Sequence, residues 1–386
     1  MAKIILIHPS VQLFNIPCVV NLAESIAHSD ENEVHFVRMR NSRNVWFEGS
    51  FSNTIHVEEY IIHSNKRRES ISQWLLGYTV IARRVAKMVS PDLIIGMGAR
   101  GLIVAWILSK IIRVKFIYYN LEFYTHEKQS IYQKAWNRLE GMLSKSCSLL
   151  IIHDENRASI YKEIVGNFNI KHIIFPNSPI IVEVQSLDLD KVKSIINFSG
   201  NSKYLIYSGG LHSRVGREIE RLCESLLNIS EDWVLILQSH DGIDMIPRTD
   251  IVLKLIAAGR LIINSTPLTP SEYSALLELC HIGIANYNVN DPNMNNVGLS
   301  SGKIAAYWMH GLPVLVNNIP FYRDILEPCM GGGIYESYET IAPKLRAIIN
   351  DYDSYRAGAL SCYRKFFLNE SYARAINEMI SSMVSK

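Results

Sequence analysis

The sequence lacks the features that mark membrane-spanning and disulfide-rich secreted proteins. Its longest apolar run, 101–112, is interrupted by Lys110 and falls short of the ~18 residues that a membrane span needs. The six cysteines are scattered, without a CxxC pair or a cysteine–histidine group at metal-ligand spacing. The N-terminal apolar run is too short for a signal peptide and predicts a first buried strand. We therefore expect a cytoplasmic protein with reduced, mostly buried thiols and no metal centre.

Net charge is also nearly absent, because 39 Lys+Arg oppose 37 Asp+Glu in 386 residues. Nothing in this balance favours nucleic acid as a partner. The charge is uneven, since residues 1–177 hold 21 Lys+Arg against 15 Asp+Glu. Basic residues of this part, in Lys66–Arg68 and in helical patterns at 67–89 and 128–145, could rest on an anionic membrane. A solvated face, with aromatic residues packed on the core, explains the same pattern equally well.

What the sequence does contain is a regular alternation of short β-branched runs with helical patterns, and 48% hydrophobic residues to fill a core. Such alternation is typical of parallel sheets covered by helices on both faces. A polar stretch at 178–203 separates two series of this kind and predicts a linker. We predict an α/β protein of two doubly wound Rossmann-like domains facing a cleft, 1–177 and 178–365. A C-terminal helix at about 366–386 is free to pack back on the first domain.

The segment 293–318 contains the clearest candidate for an anion site. The letters SSGK, residues 300–303, precede a helical apolar pattern. A helix that begins there offers free backbone N–H groups and the positive end of its dipole, and Lys303 adds a full charge. A simple serine N-cap with a solvated lysine is an equally good interpretation of the local pattern. A P-loop is excluded, because its leading glycine is missing and Ile304 stands where Ser or Thr should bind magnesium.

A second candidate is the turn that follows the first strand of the second domain. The strand at 204–208 runs into Gly209 and Gly210, where the backbone of a ligand-binding turn can come close to a phosphate. Arg214 and Arg217 follow at the start of the next helical pattern. The GxGxxG spacing is absent here and no acidic residue ends the second strand, so a nicotinamide dinucleotide is not expected.

Together these segments resemble the nucleotide-binding half of a GT-B glycosyltransferase. The similarity is to the retaining, glycogen-synthase-like clan, and within it to bacterial members that assemble surface polysaccharides. Three stretches carry it most specifically: the YxGGL turn and its arginines at 204–218, LTPSEYSALLELCHIGIANY at 268–287 and SSGKIAAYWMHGLPVLV at 300–316. A looser similarity covers FIYYNLEFYTHEK (116–128), HDENRASIY (153–161) and IIFPNSP (173–179) in the first half.

This resemblance implies a nucleoside-diphosphate sugar as donor substrate, a saccharide or lipid-linked acceptor, and no cofactor. It places the enzyme in the cytoplasm, with contact to the inner face of the membrane as a further hypothesis. A metal-dependent mechanism is disfavoured because no DxD motif follows a predicted strand. A metal-independent, retaining transfer is the expected reaction.

Two positions depart from the family pattern. Members commonly carry a Glu-x7-Glu pair, and the matching residues here are Gly298 and Ala306. The arginine that often follows the first glycine of the phosphate turn is Gly210. These departures keep two alternatives open: a catalytically silent GT-B partner or regulatory protein, and another GT-B enzyme such as an inverting transferase or a UDP-sugar epimerase.

Residue roles follow from the matched positions and from the predicted strand ends. The donor-phosphate candidates are Gly209, Gly210, Arg214, Arg217, Ser300, Ser301, Gly302 and Lys303. The catalytic candidates are Glu122 and His126, which follow the fifth predicted strand, and the acceptor-side candidates are His8, Gly98 and Arg100. Solvated surface positions are the alternative for Glu122 and His126, and a simple cap of the turn is the alternative for Gly98 and Arg100.

Overall fold

The computed structural model describes residues 1–9, 16–41, 51–62, 71–122, 131–180, 188–211, 218–230, 232–239, 246 and 249–384. The chain divides into two compact units. The first comprises Met1–Ser178 together with Leu368–Lys386, and the second comprises Pro179–Phe367. Each unit contains one parallel sheet with helices on both faces, which confirms the predicted α/β class with two doubly wound units.

The first unit is a seven-stranded parallel sheet with the order β3-β2-β1-β4-β5-β6-β7. Its strands are β1 (Ala2–His8), β2 (Asn32–Asn41), β3 (Ile55–Ile62), β4 (Leu93–Met97), β5 (Lys115–Tyr119), β6 (Leu149–Ile152) and β7 (His172–Ile174). Its helices are α1 (Pro17–Ala27), α2 (Ile71–Val89), α3 (Gly98–Ile112), α4 (Ile131–Ser144), α5 (Glu155–Val165) and the C-terminal α15 (Asn369–Val384). The direction of strand progression reverses between β1 and β4. In doubly wound sheets ligands bind at the carboxyl ends of the strands beside this reversal.

The second unit repeats the plan with six strands in the order β10-β9-β8-β11-β12-β13. The strands are β8 (Lys203–Ser208), β9 (Trp233–Gln238), β10 (Leu261–Asn264), β11 (Ile282–Ala285), β12 (Val314–Asn317) and β13 (Gly332–Tyr335). The helices are α6 (Leu189–Ile195), α7 (Ile219–Ser225), α8 (Asp250–Ala257), α9 (Pro270–Glu278), α10 (Pro292–Asn295), α11 (Gly302–Met309), α12 (Pro320–Cys329), α13 (Ile341–Asn350) and α14 (Tyr352–Phe366). The reversal lies between β8 and β11.

The strands are buried because helices cover both faces of each sheet, which is why they appear in the sequence as continuous apolar runs. In the second unit α6, α9, α11, α12 and α14 pack on one face, and α7, α8 and α13 pack on the other. Trp308 of α11 is fully buried and its indole N–H donates to the carbonyl of Gly331 at 2.9 Å. This contact joins α11 to the turn before β13, so the start of α11 has a fixed position over the sheet.

One cysteine prediction is wrong. Cys329 and Cys362 form a disulfide between α12 and α14, with their Cα atoms 6.6 Å apart. The two helices can approach because glycines stand at the contact: a Cβ on Gly358 would lie 2.3 Å from the carbonyl oxygen of Cys329. Such close packing is set by the tertiary fold and is not encoded in cysteine spacing. Cys18, Cys147, Cys223 and Cys280 are free thiols.

Within the described ranges, no helix is both long enough and apolar enough to cross a bilayer.

Candidate functional site

Lys303 of α11 lies against the glycine turn that follows β8. Its Nζ is 3.1 Å from the position that a Cβ on Gly209 would occupy. Gly209 has a φ of +126°, a conformation that residues with side chains rarely adopt. Its N–H donates to the carbonyl of Gln238 at 3.0 Å, which ties the turn to the end of β9. The structure therefore brings together the two segments that the sequence singled out separately.

Two tyrosine rings flank the Lys303 ammonium group. Its Nζ is 4.4 Å from the ring centroid of Tyr207 and 5.4 Å from that of Tyr287. The nitrogen atom itself is buried. Aromatic faces attract a cation, and they do so more strongly where water is excluded. This setting places the Lys303 amino group at the carboxyl ends of β8 and β11, beside the strand-order reversal.

A tyrosine–serine network holds α11 in register with β8. The hydroxyl of Ser208 lies 2.7 Å from the Tyr273 hydroxyl and 2.8 Å from the Tyr307 hydroxyl, and the Ser208 N–H donates to Tyr307 at 2.9 Å. Tyr307 lies flat on β11, where a Cβ on Gly283 would come within 2.2 Å of its ring. Sequence analysis missed these residues. The available signal was a glycine inside the predicted strand 282–285, which indicates close approach of another group.

The two serines before α11 have structural partners. Ser301 is the N-cap and accepts a hydrogen bond from the Ile304 N–H at 3.3 Å, while its hydroxyl also bonds the Tyr287 hydroxyl. The Ser300 hydroxyl donates to the carbonyl of Val297. Since both hydroxyls are engaged, a bound phosphate would meet the backbone N–H groups at Gly302 and Lys303.

The two positions that correspond to the glutamate pair of the resembled family, 298 and 306, carry no carboxylate here. Ala306 is 4% exposed and belongs to the apolar core of the second unit. Gly298 has a φ of +38°, and its carbonyl accepts a 2.6 Å hydrogen bond from the Tyr322 hydroxyl. The loop that would carry the first carboxylate is thus anchored to α12 through its backbone.

In the first unit the acceptor-side candidates gather at the equivalent edge. His8 ends β1 and is 6% exposed, and burial lowers its pKa to about 4, so its imidazole is neutral at physiological pH. Gly98 and Arg100 begin α3, directly after the neighbouring strand β4, and Arg100 is exposed. A Cβ on Gly101 would lie 2.6 Å from the carbonyl oxygen of Ile7. The first turn of α3 therefore presses against the end of β1, next to His8.

Three glycines permit this contact, and one of them is the predicted acceptor-side residue Gly98. Gly96, Gly98 and Gly101 have the GxGxxG spacing of a tight strand-to-helix turn of the kind that binds phosphate. Gly98 has a φ of +65°, and a Cβ on Gly96 would lie 2.6 Å from the carbonyl oxygen of Gly101. Larger residues at these positions would push α3 away from the sheet.

Glu122 is exposed two residues beyond the buried Asn120, whose amide donates to the Glu122 carbonyl at 3.2 Å. The Glu122 carboxylate lies close enough to Arg157 for the two charges to interact. Burial lowers the pKa of Arg157, and the charges of Asp154 and Glu122 oppose that shift. Arg157 is 1% exposed, and sequence analysis assigned it no role. The other predicted site residues, His126, Arg214 and Arg217, lie outside the described residues, as does Lys66–Arg68.

A third group lies on β2 and β3. Glu33, His35 and His56 place their metal-ligating atoms within 4.8 Å of one another. The Glu33 carboxylate is 2.7 Å from His35 and 3.9 Å from Lys3, and the contact with His35 lowers the Glu33 pKa. These partners already satisfy the carboxylate, through a hydrogen bond with His35 within β2 and an ion pair with Lys3 of β1. The group crosses two strands and could not be seen from residue spacing.

No protein-family model and no curated protein matches the chain. Solved structures do match it along nearly its full length. HepE from Anabaena, in complex with UDP-glucose, has 15% identity and a TM-score of 0.70, over 99% of this chain and 100% of that one. Sucrose-phosphate synthase from Thermosynechococcus elongatus has 12% identity and a TM-score of 0.73, over 100% of both. The fold is GT-B.

A third match is WaaG, described as a glycosyltransferase involved in lipopolysaccharide biosynthesis, with 13% identity and a TM-score of 0.63 over 97% of this chain and 99% of that one. At such identities the likeness establishes the fold alone. In this GT-B chain the described candidate residues of each unit lie at or just beyond the carboxyl ends of its strands. That is where doubly wound sheets bind their ligands.

Proposed function

We propose that this GT-B protein is a glycosyltransferase that moves a sugar from a nucleoside-diphosphate sugar to a saccharide or lipid-linked acceptor in surface polysaccharide biosynthesis. The observation that carries the proposal is the contact of Lys303 with the Gly209 turn at the reversal of the second sheet. The similarity of the whole chain to HepE, which was solved with UDP-glucose, supports a donor of this class.

The proposed reaction breaks the bond between the anomeric carbon and the diphosphate oxygen and forms a bond from that carbon to an acceptor hydroxyl oxygen, with retention of configuration. The hydroxyl proton is released as the nucleoside diphosphate departs. Negative charge develops on the departing diphosphate, and groups that stabilise it in the transition state accelerate the step. Lys303 supplies a fixed cation at this place, and the first-turn N–H groups of α11 supply aligned donors. These groups would allow leaving-group stabilisation without a metal ion.

The acceptor would bind the first unit. Arg100 and the Gly98 turn suit a phosphate on the acceptor, since they combine an exposed guanidinium with the start of the 15-residue helix α3. Glu122 is the candidate for the group that interacts with the acceptor hydroxyl, because its carboxylate is exposed at the end of β5, close to the buried Arg157. Neutral His8 beside the α3 turn is a further hydrogen-bonding group for the acceptor.

The experiment that tests the proposed function is release of nucleotide from UDP- and GDP-sugars, followed chromatographically with the purified protein. We expect release from at least one sugar nucleotide, and at least a tenfold slower release in Lys303→Ala, on the scale of losing a transition-state donor. Lys254→Ala changes an exposed lysine of α8 and serves as the matched control. Absence of release from every sugar nucleotide would contradict the enzymatic function.

A second candidate function is a catalytically silent GT-B partner of an active transferase. The buried Ala306 and the glycine at 298 favour it, because neither position offers a carboxylate for the donor. A protein that binds UDP or GDP but releases none from the corresponding sugars would support this candidate.

A peripheral membrane contact is also proposed, through the helix layer α2–α4 of the first unit. These three helices carry seven basic residues and one acidic residue, Glu140, which is buried. The basic residues are Arg83, Arg84, Lys87, Arg100, Lys110, Lys134 and Arg138. Large apolar side chains are exposed among them: Leu76 is 68%, Val80 65% and Met88 61% exposed. Such a mixed basic and apolar face suits the surface of an anionic bilayer.

Co-sedimentation with vesicles tests this contact. We expect binding to vesicles that contain phosphatidylglycerol and little binding to phosphatidylcholine alone. The double variant Arg83→Gln/Arg84→Gln should bind more weakly, and Lys254→Ala in the other unit should bind like the natural sequence. Equal binding of the double variant and the natural protein would contradict the assignment of this face.

A further inference from the structure

Three metal-ligating side chains lie together on one face of the first sheet, near the amino ends of its strands. His35 of β2 and His56 of the edge strand β3 are direct partners in the parallel register, so their side chains share a face. Glu33, two residues before His35, lies on the same face. The ligating atoms of the three residues are all within 4.8 Å of one another. Two imidazoles and one carboxylate thus meet across two strands.

This group of side chains is accessible from solvent. His56 is exposed, and Glu33 and His35 are only partly buried. The covering helix contacts β2 further along the strand. Val37, two residues after His35, is fully buried, and its carbonyl accepts a 2.5 Å hydrogen bond from the Tyr78 hydroxyl of α2. An ion can therefore reach the three side chains from water without any rearrangement of the core.

The donor atoms are those that divalent ions of the zinc class prefer. Imidazole nitrogens together with a carboxylate oxygen are common zinc ligands, whereas magnesium and calcium take oxygen ligands. Bonds of about 2.0–2.2 Å place the ligand atoms of a tetrahedral zinc ion about 3.4 Å apart. Rotation of side chains that face solvent can close the 4.8 Å span to this separation. Water would complete the coordination of the ion.

The contacts around the three side chains are compatible with an ion. Nε2 of His35 is 2.7 Å from Oε1 of Glu33, and an ion can enter between these two atoms if the neutral ring carries its proton on Nδ1. Lys3 is 3.9 Å from the other carboxylate oxygen, and its side chain is 44% exposed, so water largely screens its charge. The exposed Glu58 lies two residues after His56 on the same face and adds negative charge.

We propose that Glu33, His35 and His56 bind one divalent ion of the zinc class, which joins the edge strand β3 to β2. An edge strand is hydrogen-bonded on one side only, so ligands on both strands add a link where the sheet has fewest. The site lies near the amino ends of β2 and β3, whereas His8 ends its strand at the opposite edge of the sheet. The ion therefore has a structural role that does not depend on the proposed transferase activity.

Calorimetric titration of the full chain, first dialysed against a chelator, with zinc chloride and with magnesium chloride tests the site. We expect zinc to bind and to raise the midpoint of thermal unfolding, and magnesium to bind much more weakly. His56→Ala should weaken zinc binding by about tenfold or more, because even the outer partners of metal ligands contribute that much. His56 is exposed on an edge strand, so this substitution leaves the core unchanged.

His172→Ala is the matched control. The His172 ring is 2.8 Å from Glu155, but no third metal-ligating side chain joins this pair in the described part of the chain, so the variant should bind zinc as the natural protein does. Glu33→Gln keeps an acceptor for His35 and removes the charge, and it should bind zinc more weakly.

The inference is overturned if zinc does not bind, if magnesium binds as tightly as zinc, or if His56→Ala retains the natural zinc affinity. UDP affinity is measured in parallel and should be the same in His56→Ala and the natural protein. Zinc binding at this site without any UDP binding would count against the proposed function alone. UDP binding without zinc binding would refute only the metal site.

Discussion

The Nζ of Lys303 lies 3.1 Å from the place where a Cβ on Gly209 would be. The two residues belong to different segments, the turn after β8 and the first turn of α11, and a side chain at 209 would displace the Lys303 amino group. Gly209 leaves room for the ammonium group, and the ammonium group in turn fills the space above the turn. The amino group is thereby fixed at the strand-order reversal, where doubly wound sheets bind their ligands.

Replacing Gly209 with alanine should disturb this arrangement. The new Cβ would meet the Lys303 Nζ, and a φ of +126° costs a residue with a side chain about 1–3 kcal/mol. We expect Gly209→Ala to lower both the thermal stability of the second unit and the affinity for UDP, measured by calorimetry. Gly200→Ala is the control, because a Cβ at that position has nothing within 4 Å. Unchanged stability and UDP affinity in Gly209→Ala would contradict the contact.

The Ser301–Tyr287 hydrogen bond should stabilise the start of α11. Ser301→Ala removes both this bond and the N-cap, so we expect a loss of about 1–2 kcal/mol in the free energy of unfolding. Tyr287→Phe removes the hydroxyl bond alone and should cost less. A double-mutant cycle measured by urea unfolding should show positive coupling between the two residues. Strictly additive losses would show that the hydroxyls do not interact.

Glu140 should make the stability of the first unit depend on pH. Burial raises its pKa from 4.5 to about 7, although Tyr118 donates to its carboxylate at 2.7 Å and Asn120 donates at 3.2 Å. A raised carboxyl pKa means that the folded state holds the proton more tightly than the unfolded state. The stability it contributes is therefore complete below pH 4.5 and is lost as the pH rises to about 7.

Glu140→Gln removes the titrating group and keeps an acceptor for both donors. We expect the variant to be more stable than the natural protein at pH 8, by on the order of 2–4 kcal/mol, and similar to it near pH 4.5. Glu378→Gln on the exposed face of α15 is the control and should not alter the pH profile. Parallel stability profiles for Glu140→Gln and the natural protein, from pH 4.5 to 8, would rule out a raised pKa.

The Cys329–Cys362 disulfide can be tested by counting the free thiols of the protein. Thiol titration of the unfolded, unreduced protein should find four free cysteines, and titration after reduction should find six. Closing a loop of 33 residues limits the unfolded chain, so Cys362→Ser should lower the free energy of unfolding by about 3–4 kcal/mol. Six reactive thiols before reduction would show that the pair is not oxidised.

The fold was largely predictable because both sheets are buried on their two faces. Strands β3, β5, β9, β10 and β11 begin and end where the apolar runs predict, at residues 55–62, 115–119, 233–238, 261–264 and 282–285. The ends of the helices were predicted less accurately. The sequence pattern predicts a helix over 320–326, whereas α12 continues to Cys329 with Pro328 inside its last turn. A proline in the local sequence predicts that the helix ends before it, but tertiary packing keeps the chain helical through Pro328.

The candidate site was predictable only in its separate parts. The glycines after β8 and the lysine in the first turn of α11 each indicate an anion site from local chemistry. The structure adds that Gly209 and Lys303 lie against each other. Contacts between residues from distant segments of the chain could not be predicted from the sequence. The Ser208–Tyr307 bond spans 99 residues of sequence, and the cavity that is lined by Asn286, Asn317 and Tyr335 draws on the ends of three strands. Such contacts depend on sheet order, which residue spacing does not encode.

Calorimetric titration of UDP into the natural protein and Lys303→Ala tests the central claim most directly. If Lys303 holds the diphosphate of the donor, its removal should weaken binding by about 1–3 kcal/mol, or roughly 5- to 150-fold in the dissociation constant. Lys254→Ala should bind UDP as the natural protein does. An equal UDP affinity in Lys303→Ala and the natural protein would contradict the placement of the donor at this site.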